Sequence, residues 1–304
     1  MGQAYDDLGF PIPAEFDVPN ADGRVRRPRR PAGPTKRWLV LLVAVGIVLP
    51  AVVGPELVPF AREAVVRWSL ERAFACEARD DVAGAVRELE RAIAWNGDDA
   101  SLLAARAMLR LEHGDAAGAR LDADRAVALS PARLEAYRVR AIVNVCEGRA
   151  DEALADVERV VDLAGDDNGE AVNLRAYVCG LVGREIPTAV AEIEQLLAGM
   201  PAPPPEYLDT RGFLRHLDGR HDEALIDIDE AISLTQQQRQ QMMLLAGRVD
   251  RVELLQRMRS LDHAMAVMFH HRGLIFEALG AAEQAQADFE LARRKGFAPE
   301  RGIL

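Results

Sequence analysis

The chain has 304 residues, of which 28% are charged and 5% aromatic, and a formal net charge of −11. Ala, Leu, Arg, Glu and Asp dominate and strand-forming aromatics are scarce, which points to an almost wholly helical protein. Residues 1–37 carry seven basic and five acidic groups, so residues 38–304 hold a net −13; an acidic body repels phosphate backbones and excludes nucleic acid as its partner.

Residues 1–37 are rich in Pro, Gly and charge and read as a disordered basic cytoplasmic tail. Its arginines (Arg24, Arg26, Arg27, Arg29, Arg30) serve as a topology signal and a contact for anionic lipid. WLVLLVAVGIVLPAVVGP follows at 38–55, with no charge until Glu56. As a helix it would span about 27 Å, close to the hydrocarbon thickness of a bilayer. Basic residues precede it, so the N-terminus is expected in the cytoplasm and the body across the inner membrane, behind one uncleaved signal-anchor helix at 38–60. A cleaved signal peptide would have a shorter basic lead and an A-x-A site. A lipoprotein would need a cysteine after the run, and a buried soluble helix would show a polar face.

The remaining residues, 62–304, repeat themselves. Gly114–Leu129 reads GDAAGARLDADRAVAL and, 34 residues later, Gly148–Leu163 reads GRADEALADVERVVDL. Asp80–Trp95, Gly219–Leu234 and Gly280–Lys295 are further copies. An alanine recurs at Ala85, Ala119, Ala153, Ala224 and Ala285, and a small or apolar residue follows two turns later at Ala92, Ala126, Val160, Ala231 and Ala292. Another small residue precedes each copy: Ala73, Ala107, Ala141, Gly212 and Gly273. Residues seven apart share a helix face, so these positions mark where two helices approach closely, and the intervening Gly or Asp suits a tight turn. One unit is therefore helix–turn–helix, and only stacked units bury their apolar faces. The units are 66–99, 100–133, 134–167, 169–201, 205–238 and 266–299, the fourth holding one extra residue near Pro187.

The period and pattern resemble the tetratricopeptide repeat family. Ala107, Gly114, Ala119, Ala126 and Pro131 match its small, turn, small, small and proline positions, and Gly273, Phe276, Ala285, Phe289 and Ala292 match again. The resemblance implies an all-α superhelical array whose concave face, lined by the first helix of each unit, binds polypeptides. On this chain that lining is Leu70, Phe74, Met108, Arg138, Ile142, Asn173, Tyr177, Asp209 and Phe213. The Lys/Asn/Arg clamp that some members use for a terminal carboxylate is not reproduced. The groove is largely apolar with an acidic far end at Glu206 and Asp209, suited to an apolar or mildly basic polypeptide.

Between the fifth and sixth units, 239–265 carries Leu244, Leu245, Val249, Val252, Leu255 and Met258 at helical spacing and predicts an additional helix packed on the array. The PAPPP run at 201–205 predicts an extended joint.

No P-loop, dinucleotide glycine motif, H-E-x-x-H or nucleophile elbow occurs, so no enzyme activity, cofactor or metal is expected. His263 and His270 would share a face on a continuous helix, but a metal site would need a third ligand. The acids Asp122, Asp156, Asp227 and Asp288 recur at one phase per unit and belong to the repeat's own packing and capping. Cys76, Cys146 and Cys179 form no disulfide framework and read as small buried residues, although spacing leaves a Cys146–Cys179 bridge open. A membrane-anchored scaffold for protein partners is the resulting reading. Its rival is a self-assembling envelope component, joined through the array or through 239–265.

Overall fold

A computed structural model of the chain describes residues 57–297, apart from 78, 80, 97–98, 166, 246–248 and 250. The expected tail at 1–37 and the apolar run at 38–55 lie outside the described residues. Among the described residues no helix is long and apolar enough to cross a membrane. The chain divides into units 1–61 and 62–304; of the first, only helical backbone from Leu57 onward is described. The second holds the helical array.

The described residues form twelve α-helices and no strand, in consecutive pairs. These are α1 (Leu57–Glu77) and α2 (Val82–Trp95), α3 (Ala100–Glu112) and α4 (Ala116–Leu129), and α5 (Leu134–Cys146) and α6 (Ala150–Ala164). Then come α7 (Gly169–Val182) and α8 (Ile186–Ala198), α9 (Pro205–Leu217) and α10 (His221–Leu244), and α11 (Arg251–Ala278) and α12 (Ala282–Arg294). The turns inside the pairs share one chemistry. Gly114, Gly148, Gly219 and Gly280 have φ of +84°, +71°, +82° and +77°, a left-handed conformation that glycine adopts without a Cβ penalty. The next amide then reaches back to the helix, as in Asp115 N to Arg110 O at 2.8 Å and Arg149 N to Asn144 O at 2.8 Å. Asp81 and Asp115 cap the following helices by accepting from the amides of Gly84 and Gly118 at 2.9 Å.

The small residues sit where the pairs touch. Ala85, Ala119, Ala153 and Ala224 are completely buried. A Cβ on Gly212 would lie 2.7 Å from Ile228 Cδ1, and one on Gly273 would lie 2.5 Å from Phe289. From α3 onward each first helix also packs on the next first helix, α3 on α5, α5 on α7, α7 on α9 and α9 on α11, whereas no even-numbered helix packs on another among the described pairs. The odd helices therefore line one face of the stack. Between the layers lie apolar clusters such as Ala104, Ala107, Leu111, Ala119, Ala123, Val139 and Val143.

The repeated acids are structural. Asp122, Asp156, Asp227 and Asp288 are buried, and each pairs with the arginine 16 residues earlier: Arg106 (2.6 Å), Arg140 (2.6 Å), Arg211 (2.6 Å) and Arg272 (2.6 Å). Glu88 pairs with Arg72 in the same way at 2.9 Å. In the fourth unit the extra residue is taken up before α8, where Glu185 has a φ of +55°, and Arg175 pairs with Glu192, 17 residues on.

Two expectations are corrected. Residues 239–265 do not form a separate helix. The stripe is divided: α10 runs on through Leu244, and α11 continues unbroken from Arg251 to Ala278, so the insertion lengthens the helices flanking it. Good helix formers fill both extensions, and continuing a helix needs no new nucleus. The cysteines, expected to be small buried residues, are so only at Cys179; Cys146 is exposed and Cys76 half-buried, and all three are free, with no Cys146–Cys179 bridge. The proline joint ends at Pro204 (φ −57°, ψ 141°), and Pro205 opens α9 at a position where a missing amide costs nothing.

Candidate functional site

The odd-helix face differs along its length. At its start, Phe74 is 38% exposed, and Leu70 is half-buried against Ala73, Leu89 and Leu103. Met108 and Ile142 are half-buried and pack on the Ala104–Val139 cluster, so each divides its surface between core and face. Arg138 is exposed and pairs loosely with Glu135 at 3.7 Å. Asn173 is half-buried, and its Oδ1 is buried without a hydrogen-bond partner.

The far end is only partly open: Glu206 is exposed, but the expectation of an open lining at Asp209 and Phe213 is corrected. Asp209 and Phe213 are both buried. His271, carried by α11, places its ring on Phe213 at 4.3 Å between centroids and 13° between planes, and its Nδ1 lies 2.9 Å from Asp209 Oδ1. Tyr177 lies 6.1 Å from both rings, and burial, with Asp209 nearby, pushes its phenol above the ordinary range. His271 and Asp209 thus pair, with Phe213 and Tyr177 packed around the imidazole. The cause is adjacency of units: α11 packs beside α9, bringing together residues 62 apart.

The histidines lie around this end. His270 packs on Phe297 at 4.4 Å and Phe289 at 5.5 Å between centroids. Burial, and then His271, lowers its pKa to about 4. Burial likewise lowers His263, and burial followed by His221 and His271 lowers His216. No group of three potential ligands suited to a metal occurs among the described residues. These histidines stay neutral in the folded chain, whereas the unfolded chain takes up protons near pH 6.5. Their contribution to stability is therefore complete above about pH 6.5 and declines as pH falls below it, that of His270 being lost toward pH 4. Urea unfolding is expected to show a lower midpoint at pH 5 than at pH 7.5, and His270→Met should flatten the difference.

One contact joins the two ends of the array. Arg259, in the lengthened part of α11, donates to the backbone carbonyl of Glu77 at the end of α1. Burial raises the Glu77 carboxyl, aided by Glu112, while Arg259 and His113 oppose the shift. Glu112 ends α3; much of its residue surface is open, yet its carboxyl is desolvated enough to be raised, again opposed by His113 and Arg259. Sequence periodicity had no means of finding this trio, because Arg259 lies outside the repeated units.

No protein-family model matches the sequence, and no curated protein matches it. The chain is similar to a solved tetratricopeptide repeat protein from Parabacteroides merdae ATCC 43184, at 17% identity over 78% of this chain and 95% of that one, with a TM-score of 0.45. It is similar to a thermophilic tetratricopeptide repeat protein of Thermus thermophilus, at 22% identity over 66% and 98% of the two chains, with a TM-score of 0.46. It is also similar to MamA from Desulfovibrio magneticus RS-1, at 18% identity over 57% and 97%, with a TM-score of 0.44.

Proposed function

We propose that the chain is a membrane-anchored tetratricopeptide-type scaffold that gathers polypeptide partners on the odd-helix face of its array. The observation carrying this is the partly open stretch of that face over α1, α3 and α5. There Phe74, Met108, Ile142 and Arg138 offer apolar surface and one basic group beyond what the core uses. A stacked array of this kind presents an extended surface suited to helical or extended peptides. The anchoring part of the reading is supported by the uncharged run at 38–55 and the basic residues before it, with the array placed outside the cytoplasm.

Two measurements test it. A reporter active only outside the cytoplasm, fused after Leu304, should be active; an inactive fusion removes the topology. Full-length chain extracted in mild detergent should capture a reproducible protein that is lost with Phe74→Glu and Ile142→Glu; capture unchanged by both substitutions removes the binding face.

Self-assembly is the second reading, favoured by Leu121 and Ile226, which are 71% and 65% exposed on the outer helices α4 and α10. Light scattering of the same preparation separates the two, since a strict monomer at high concentration leaves only the scaffold.

A further inference from the structure

We propose that the elongated α10–α11 hairpin is a clasp, in which the N-terminal half of α11 closes the last unit onto the first, and that the ligand which replaces it there is an amphipathic helix bearing a basic residue. The second half of this statement rests on the odd-helix face being the binding face.

In a stack of repeats each unit ordinarily touches only its neighbours. The bond from Arg259 to Glu77 spans 182 residues and breaks that rule. The length of α11 makes it physically accessible. The first helices α3, α5 and α9 have 13 residues and α11 has 28, and the added residues extend it by about 22 Å.

The extension is held firmly at its base. Asp262 accepts from Arg239 on α10 at 3.2 Å and from Lys295, just beyond α12, at 2.8 Å. Met265 and Ala266 are fully buried, and His271 is locked between Phe213 and Asp209. A helix fixed this way projects its tip in a set direction. Toward the tip, Leu254, Leu255 and Met258 are half-buried while Glu253, Arg257 and Ser260 are exposed, so the segment is amphipathic.

Its contact, from Arg259 to the Glu77 carbonyl, lies at the end of the candidate face. Leu70, Phe74 and Glu77 are spaced i, i+4 and i+7 on α1, and Met108 and Glu112 are spaced i and i+4 on α3, so each apolar stripe ends in a carboxylate. Two acids at the ends of two apolar stripes complement a helix with apolar residues and one arginine. Glu77 is half-buried where Arg259 meets it, whereas Glu112 stays exposed beside it. Arg259 itself remains exposed, so its attraction is weak and screened by salt, as suits a contact that must open.

The test uses the full chain with its three cysteines replaced and spin labels at Arg79→Cys and Ser260→Cys, both exposed positions. Double electron–electron resonance should give one short distance. Arg259→Glu should lengthen and broaden it, and adding Glu77→Arg with Glu112→Arg should restore it; a distribution unchanged by Arg259→Glu overturns the clasp. A labelled synthetic peptide of residues 251–264 then probes the ligand class. It should bind the Arg259→Glu chain about tenfold tighter than the parent, as for a face open only about a tenth of the time. Equal binding to both overturns competition with the clasp. Binding to neither overturns the binding face, while the spin-label result decides the clasp on its own.

Discussion

Replacing Ala119, Ala153 and Ala224 together by Leu is expected to abolish cooperative folding of the array. Each alanine has no exposed surface and lies where the second helix of a pair meets the first. At the fifth pair the fit is tight enough that a Cβ on Gly212 would come within 3.1 Å of the Ala224 carbonyl. A leucine at such a point must push two helices apart, and overpacking of this kind costs about 1–3 kcal/mol per site. The three sites lie in three different pairs and share no partner, so their costs add to about 3–9 kcal/mol. That is comparable with the whole stability of a typical domain, about 5–15 kcal/mol. Propagation makes it worse, because each displaced pair also loses its interface with the next. Circular dichroism during thermal and urea unfolding measures this. A triple variant that melts at the parent's midpoint would mean that the small residues do not set the helix spacing.

The recurring features of the fold were legible because they are local and periodic. Ala119 and Ala153 perform one task in consecutive units, so a 34-residue period exposed them, along with the turn glycines and the buried acids. The arginines were equally available: Arg72, Arg106, Arg140, Arg211 and Arg272 keep a fixed offset of 16 from those acids, and pairing the two series would have turned an acidic stripe into a ladder of ion pairs. What the period could not carry was anything that happens once. Asp209 reads as an acid on an open face until His271 arrives from the next unit. The stripe over 239–265 gives the correct local conformation, but periodicity says nothing about whether a helix is separate or the continuation of its neighbours. Arg259 carries no sequence signal at all, since its partner lies at the opposite end of the array. The candidate face divided along the same line: Phe74, Met108 and Ile142 remained at least partly open, whereas Asp209 and Phe213 were consumed by a non-periodic contact.

Asp122→Ala is expected to be the most damaging single substitution among the charged residues. Asp122 is 4% exposed and serves two guanidiniums at once. Arg106 reaches it through Nε at 2.7 Å and Nη2 at 2.6 Å, and Arg110 through Nη1 at 2.7 Å. The hydrogen bond to Asp122 is the main cause raising Arg106 above its ordinary pKa, and without it the guanidinium still stays charged through its own intrinsic basicity. Removing the carboxylate leaves the largely buried Arg106 without its ion-pair partner, while Arg110 keeps only Asp115 at 3.5 Å and Glu90 at 3.9 Å; the change costs about 3–5 kcal/mol. Asp124, two residues further along α4, pairs only at 3.7 Å with Arg120 and Arg140 and is half exposed, so Asp124→Ala should cost at most about 1 kcal/mol. The contrast separates a buried network from a surface pair on the same helix. Urea denaturation of the two variants measures it, and a variant combining Asp122→Leu, Arg106→Met and Arg110→Leu gives the third comparison. Apolar groups of similar volume need no charge compensation, so that triple variant should regain most of the lost stability. If it stays as unstable as Asp122→Ala, the cost lies in packing geometry rather than in unpaired charge, and the ladder's role would have to be read as positional.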